Sequence, residues 1–115
     1  MKVLLDHNVP KRFGGRLTGH QAITARQMRW DGLDNGRLLQ AASNGGFDVL
    51  LSIDKSIQFQ HNLSKLPLPI VILDSRSNAM PELERFVGFV LGLLMTPLLN
   101  HIYIVRGDGT IDRLG

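Results

Sequence analysis

Cysteine is absent from the 115 residues, which rules out a disulfide framework and a thiolate metal centre and suits a reducing cytoplasm. No apolar run reaches the roughly 20 residues that a membrane-spanning helix needs. The longest, FVGFVLGLLMTPLL beginning at Phe86, is shorter and carries Pro97. It reads as a buried or interface helix, so no membrane association is expected. HxH and HExxH spacings are missing, which argues against a zinc enzyme. Neither GxGxxG nor GxxxxGK followed by Ser or Thr occurs, and Ser52 and Ser56 have no nucleophile elbow around them. Repeats and low-complexity segments are absent too. The first residues enter a strand directly, so no signal peptide is expected.

Charge of one sign is in only slight excess. Lys and Arg number 13 against 10 Asp and Glu, for a formal charge of +3. That surplus permits a polyanionic partner without requiring one. Lys11, Arg12, Arg16, Arg26, Arg29 and Arg37 concentrate it in the amino-terminal part, the expected phosphate-facing side. Hydrophobic residues at 43% and charged residues at 20% fit a folded chain of one domain, residues 1–115.

What is present is a repeated pattern. Three short apolar runs end on aspartate: MKVLLD at Asp6, DVLLSID at Asp54 and PIVILD at Asp74. Such runs without polar alternation predict strands buried on both faces of a parallel sheet. Parallel strands bring their carboxyl ends to one rim, where open α/β sheets place ligands. Carboxylates meeting there repel one another, and a divalent cation relieves the repulsion.

Strands are expected at residues 2–6, 20–25, 49–53, 70–73 and 101–105, with a closing hairpin through 110–114. Asn8 is a candidate cap for a short first helix weakened by Gly14 and Gly15, with Pro10 in its first turn. Asp34 or Asn35 opens a second helix that Gly45 and Gly46 stop. Residues 55–63 read as a polar helical stretch. Ser77 or Asn78 is placed to cap a last long helix, with Pro81, Glu82 and Glu84 in its first turn. Strands alternating with helices predict a three-layer α/β/α sandwich with a mostly parallel central sheet and right-handed crossovers.

Asp6 and Asp54 are the leading site candidates, because they hold matching positions on two strands. Each has a local reading as well, since Asp favours turns and caps. Asp74 reads more readily as a turn residue, and Asp34 as a cap. His7 sits at the edge of the site, whereas His20, His61 and His101 read as ordinary strand and surface residues.

Taken in order, MKVLLDHNVP, the strand ending near Thr24, W-x-G-L-x-N-G-x-L-L from Trp30 to Leu39, and VLLSIDKSIQFQHNL from Val49 resemble small PIN-like domains. These are relatives of the VapC-type toxin ribonucleases, in a branch labelled a domain of unknown function. The resemblance implies a PIN-like fold and Mg²⁺- or Mn²⁺-dependent hydrolysis of RNA in the cytoplasm. It also implies RNA as partner, with an antitoxin protein or a homodimer as further expectations. By the same resemblance Asp6 and Asp54 are metal-binding and catalytic acids, with Asp34 and Asn35 near the third catalytic position. Asn35 stands where relatives carry an acid, and Ser56 where many carry another. The thinned acid set leaves a second reading, a catalytically weakened module that binds RNA or a partner protein. Asn8, Lys55, Arg76, Asn78, Arg12 and Arg37 are the expected substrate contacts. A phospho-acceptor receiver domain is a competing class, but it needs paired acids after the first strand and a Lys closing the last.

Overall fold

The computed structural model describes residues 1–60 and 62–115, with Leu63 described by its backbone alone. Five strands run parallel: β1 Lys2–Leu5, β2 Gln21–Thr24, β3 Val49–Ser52, β4 Ile70–Leu73 and β5 Ile102–Val105. The sixth, β6 Ile111–Leu114, returns antiparallel to β5 as the expected hairpin. The sheet order is β2-β1-β3-β4-β5-β6.

Successive side chains in a strand point to opposite faces, and here both faces are apolar. Val3, Leu5, Leu51, Val71, Leu73 and Val105 join one buried cluster, while Leu4, Leu50, Ile70, Ile72, Ile102 and Ile104 join the other. The first cluster is covered by α1 Lys11–Gly15 and by the pair α4 Met80–Leu83 and α5 Val87–Leu94, through Phe13, Leu83, Phe86, Val90 and Leu94. The second is covered by α2 Asn35–Asn44 and α3 Ile57–Gln60, through Leu38, Leu39, Ala42 and Ile57. The result is a three-layer α/β/α sandwich with a mostly parallel sheet. No helix among the described residues is long and apolar enough to cross a membrane.

Gly14 lets α1 approach the sheet closely, since a Cβ there would lie 2.7 Å from Leu5 Cδ1 and 2.9 Å from Ala22 Cβ. Asn8 does not cap α1; Pro10 holds that position without a side-chain bond. Asp34 caps α2 by accepting from the Arg37 amide. The expected long helix is broken. Ala79, not Ser77 or Asn78, is its N-cap, and a 3₁₀ turn at Glu84–Phe86 separates α4 from α5. Gly88 and Gly92 give α5 little intrinsic helix propensity, so its buried Val90 and Leu94 hold it in place. The segment expected as helix over 55–63 resolves into α3 and a 3₁₀ turn at Leu63–Lys65; His61 lies outside the described residues.

The crossovers do not all share one hand. From β1 to β2 the chain moves one way along the sheet with α1 on the first face, and from β2 to β3 it moves back with α2 on the second face. Those two moves are equivalent by rotation. From β4 to β5 the chain moves in the same direction as β2 to β3, yet α4 and α5 lie on the first face, which reverses the hand. The second face at that end is already covered by Leu66 and Leu68. The first would leave Val71, Leu73, Tyr103 and Val105 bare without α4 and α5, so apolar burial outweighs the usual preference for one hand.

Candidate functional site

The chain leaves β1 in one direction along the sheet and later passes over it to β3. The carboxyl ends of β1 and β3 therefore border the crevice where open α/β sheets change direction and bind ligands. Asp6 follows β1 there, with its amide donating to the Leu51 carbonyl at 2.9 Å. Its carboxylate is buried, only 4% exposed. Oδ1 accepts from the His7 amide at 2.8 Å, and Oδ2 accepts from the Ser52 hydroxyl at 2.7 Å. The His7 Nε2 atom stands 4.0 Å from Oδ1.

Ser52, fully buried at the end of β3, also accepts from the Asp54 amide at 3.0 Å. One hydroxyl thus links the Asp6 carboxylate to the Asp54 backbone. Asp54 Oδ1 in turn accepts from the Ser56 amide at 3.0 Å and from its hydroxyl at 2.6 Å. Gln60 Nε2 donates to Ser56 Oγ at 2.9 Å, and Asn35 Nδ2 donates to Gln60 Oε1 at 2.7 Å. A continuous polar chain therefore runs from the first residue of α2, through α3, to the ends of β3 and β1.

Of the two candidates on α2, Asn35 joins this chain and Asp34 does not. The Asp34 carboxylate accepts from the Arg37 amide at 2.9 Å and is largely exposed, the ordinary work of a helix cap. Ser52 and Gln60 join the polar chain although no sequence pattern marks them, and Ser56 joins it as a donor to Asp54 in place of an acid. The signal for Ser52 was strand register: Leu5 pairs with Leu51, so the next residues, Asp6 and Ser52, fall side by side.

Asp74 shares the rim but has different company. Its carboxylate accepts from Lys55 Nζ at 2.7 Å and from Arg106 at 2.9 Å. Those two bonds, Lys55 first, hold its carboxyl below the usual carboxylate range. Arg106 also pairs with Asp112 on β6 at 2.7 Å. Lys55 is therefore committed to Asp74. Arg12 and Arg37 are exposed on α1 and α2, outside the polar chain, and Asn78 is exposed in the loop after β4. Lys11 and Arg26, rather than Arg12, line a cavity of about 510 Å³ that begins at Asp6 and extends past Pro10 to Gln27. Thr24 and Gln27 exchange reciprocal hydrogen bonds of 2.9 and 3.0 Å that fix the far wall.

Among the described residues no three His, Asp or Glu side chains converge as a metal-binding group. The oxygen donors on these neighbouring residues are of the kind that suits a hard divalent cation. Asp6 and Asp54 supply two carboxylates, and Asp54 Oδ2 makes no hydrogen bond among the described residues. Asn8, two residues beyond Asp6, carries a buried Oδ1 without a partner. A buried oxygen left unpaired costs on the order of 1–3 kcal/mol, and a bound cation or its water would satisfy it. Comparison with protein-family models, curated proteins and solved structures finds no match.

Proposed function

We propose that the protein hydrolyses RNA phosphodiesters with Mg²⁺ or Mn²⁺ at the β1–β3 end of the rim. The supporting observation is that Ser52 Oγ donates to the Asp6 carboxylate and accepts from the Asp54 backbone amide at the point where the strand order reverses. In this reading Asp6, Asp54 and the Asn8 carbonyl hold the cation, directly or through water. A cation so held lowers the pKa of a bound water and offsets charge gathering on the phosphate. Ser52 positions both acids, and the Asn35–Gln60–Ser56 chain positions Asp54. Lys11 and Arg26, in the adjoining cavity, supply charge to the strand that carries the scissile phosphate. Membership in a toxin–antitoxin pair, a homodimer and a cytoplasmic site of action belong to the same proposal.

The decisive experiment is Mn²⁺-dependent cleavage of mixed RNA by the parent beside Asp6→Asn. Activity in the parent that is lost in the variant supports the reading. Equal cleavage by both would sink it. A second reading, a non-catalytic module that binds RNA or a partner protein, draws support from the small acid set and from the full internal hydrogen bonding of Asp6. It predicts metal-independent RNA binding with no cleavage. A phospho-acceptor role is disfavoured because Arg106, at the end of β5, is engaged by Asp74 and Asp112 instead of facing Asp54.

A further inference from the structure

Where the rim turns from β4 and β5 towards α4, a cavity of about 750 Å³ opens, lined among others by Asp74, Ser75, Arg76, Glu82, Arg85 and Gly107. The negative charge of Asp74 is already met by Lys55 and Arg106. Arg76 and Arg85 have no ion pair among the described residues, and Glu82 is the one uncompensated carboxylate facing them. Two guanidiniums against one carboxylate leave the cavity net positive.

Both arginines are placed by the local chain. Ser75 Oγ donates to the Ser77 carbonyl at 2.8 Å and so tightens the loop that carries Arg76. Arg85 lies along the β5–β6 turn, where a Cβ on Gly107 would stand 3.5 Å from its Nη1 and 3.7 Å from its Cδ. The guanidinium therefore lies against that turn at about van der Waals distance. Two planar forks bordering one cavity match the oxygens of a phosphate group, which takes paired N–H donors.

We infer that this cavity is an oxyanion site that binds a phosphate group of a nucleic-acid strand, separate from the Asp6–Asp54 centre and independent of metal. The strand assignment rests on the proposed RNA-hydrolysing reading. The ends of β3 and β5 are two strand spacings apart, roughly 10 Å, so the group held here is a neighbour of the scissile phosphate on the same chain. Asp74, neutralised by Lys55 and Arg106, stands between the two places and presents no net repulsion to a strand passing from one to the other.

The test uses the full chain in the presence of a chelator, with inorganic phosphate and a four-nucleotide DNA strand as probes. Binding is followed by NMR of the arginine side-chain N–H signals. Both probes should shift Arg76 and Arg85. Arg76→Gln with Arg85→Gln should weaken strand affinity about tenfold or more, the worth of one lost charged hydrogen bond at least. Asp54→Asn should bind at least as tightly as the parent, because it removes a negative charge from the strand's path and no contact to the phosphate held by the arginines. Unchanged affinity in the double arginine variant, or loss of binding in Asp54→Asn, would overturn the site. A response to inorganic phosphate without one to the strand would overturn the strand assignment and mark a site for free phosphate. Failure of the catalytic reading looks different: the parent then binds the strand through Arg76 and Arg85 but cleaves no RNA with Mn²⁺.

Discussion

Asp6 and Asp74 occupy equivalent places at two ends of one rim. Each follows a buried apolar strand, and each donates its amide to the neighbouring strand's carbonyl at 2.9 Å. Their side chains meet opposite company. Asp6 is held by a hydroxyl and an amide, both neutral, whereas Asp74 is held by an ammonium and a guanidinium. A carboxylate surrounded by neutral donors still attracts a cation, while one already bridged by two cations has little left to offer. That difference is the ground for proposing metal chemistry at the β1–β3 end and strand contact at the β4–β5 end.

The largest expected effect tests that division directly. Asp6→Asn should lower Mn²⁺-dependent RNA cleavage by about a hundredfold or more, while Asp74→Asn should stay within about twofold of the parent, since it makes no metal contact in this reading. Equal losses in the two variants would erase the distinction between the ends.

Ser52→Ala comes next. The substitution strips Asp6 of its buried donor and the Asp54 amide of its acceptor, so urea unfolding should show a loss of about 2 kcal/mol together with weaker Mn²⁺ binding. A stability loss with no change in metal affinity would mean that the hydroxyl serves the fold alone.

The third test sharpens the comparison through pH. Because Lys55 and Arg106 depress the carboxyl of Asp74, its contribution is present above the ordinary unfolded value of about 3.9 and is lost as pH falls through the lower folded value. Asp74→Asn should therefore be less stable than the parent by about 1 kcal/mol at neutral pH. The two unfolding curves should converge in acid. A gap that persists at low pH would show that the pair does not act through charge.

The smallest effect separates the two residues at the head of α2. Asp34→Ala should cost about 1 kcal/mol through the lost cap and leave Mn²⁺ affinity unchanged. Asn35→Asp should alter that affinity, because it replaces the donor to Gln60 with a charged acceptor at the end of the polar chain. The reverse pattern, measured by calorimetric titration, would return Asp34 to the site.

The strands and the rim were legible because apolar runs of four to six residues flanked by polar ones have few other interpretations. Asp6 and Asp54 followed from position alone. Ser52, Ser56 and Gln60 did not, since their membership depends on the register of β1 against β3 and on how α3 faces α2, which are tertiary facts. The reversed hand of the last crossover also escaped, because it depends on which face of the sheet remained uncovered, and so did the 3₁₀ turn between α4 and α5. The commitment of Lys55 to Asp74 could not be read from a sequence separation of 19.

The short β6 strand has a consequence for the edge of the sheet. Without it, β5 would offer a row of free amides and carbonyls along IYIV, an edge ready to recruit another chain. β6 pairs along that edge and puts the exposed Asp112 and Arg113 on the new outer strand, and Arg106 ties Asp112 down. Removal of residues 110–115 would thus leave the helices, Asp6 and Asp54 in place, free Arg106 from Asp112, and yield a chain prone to aggregate through strand pairing.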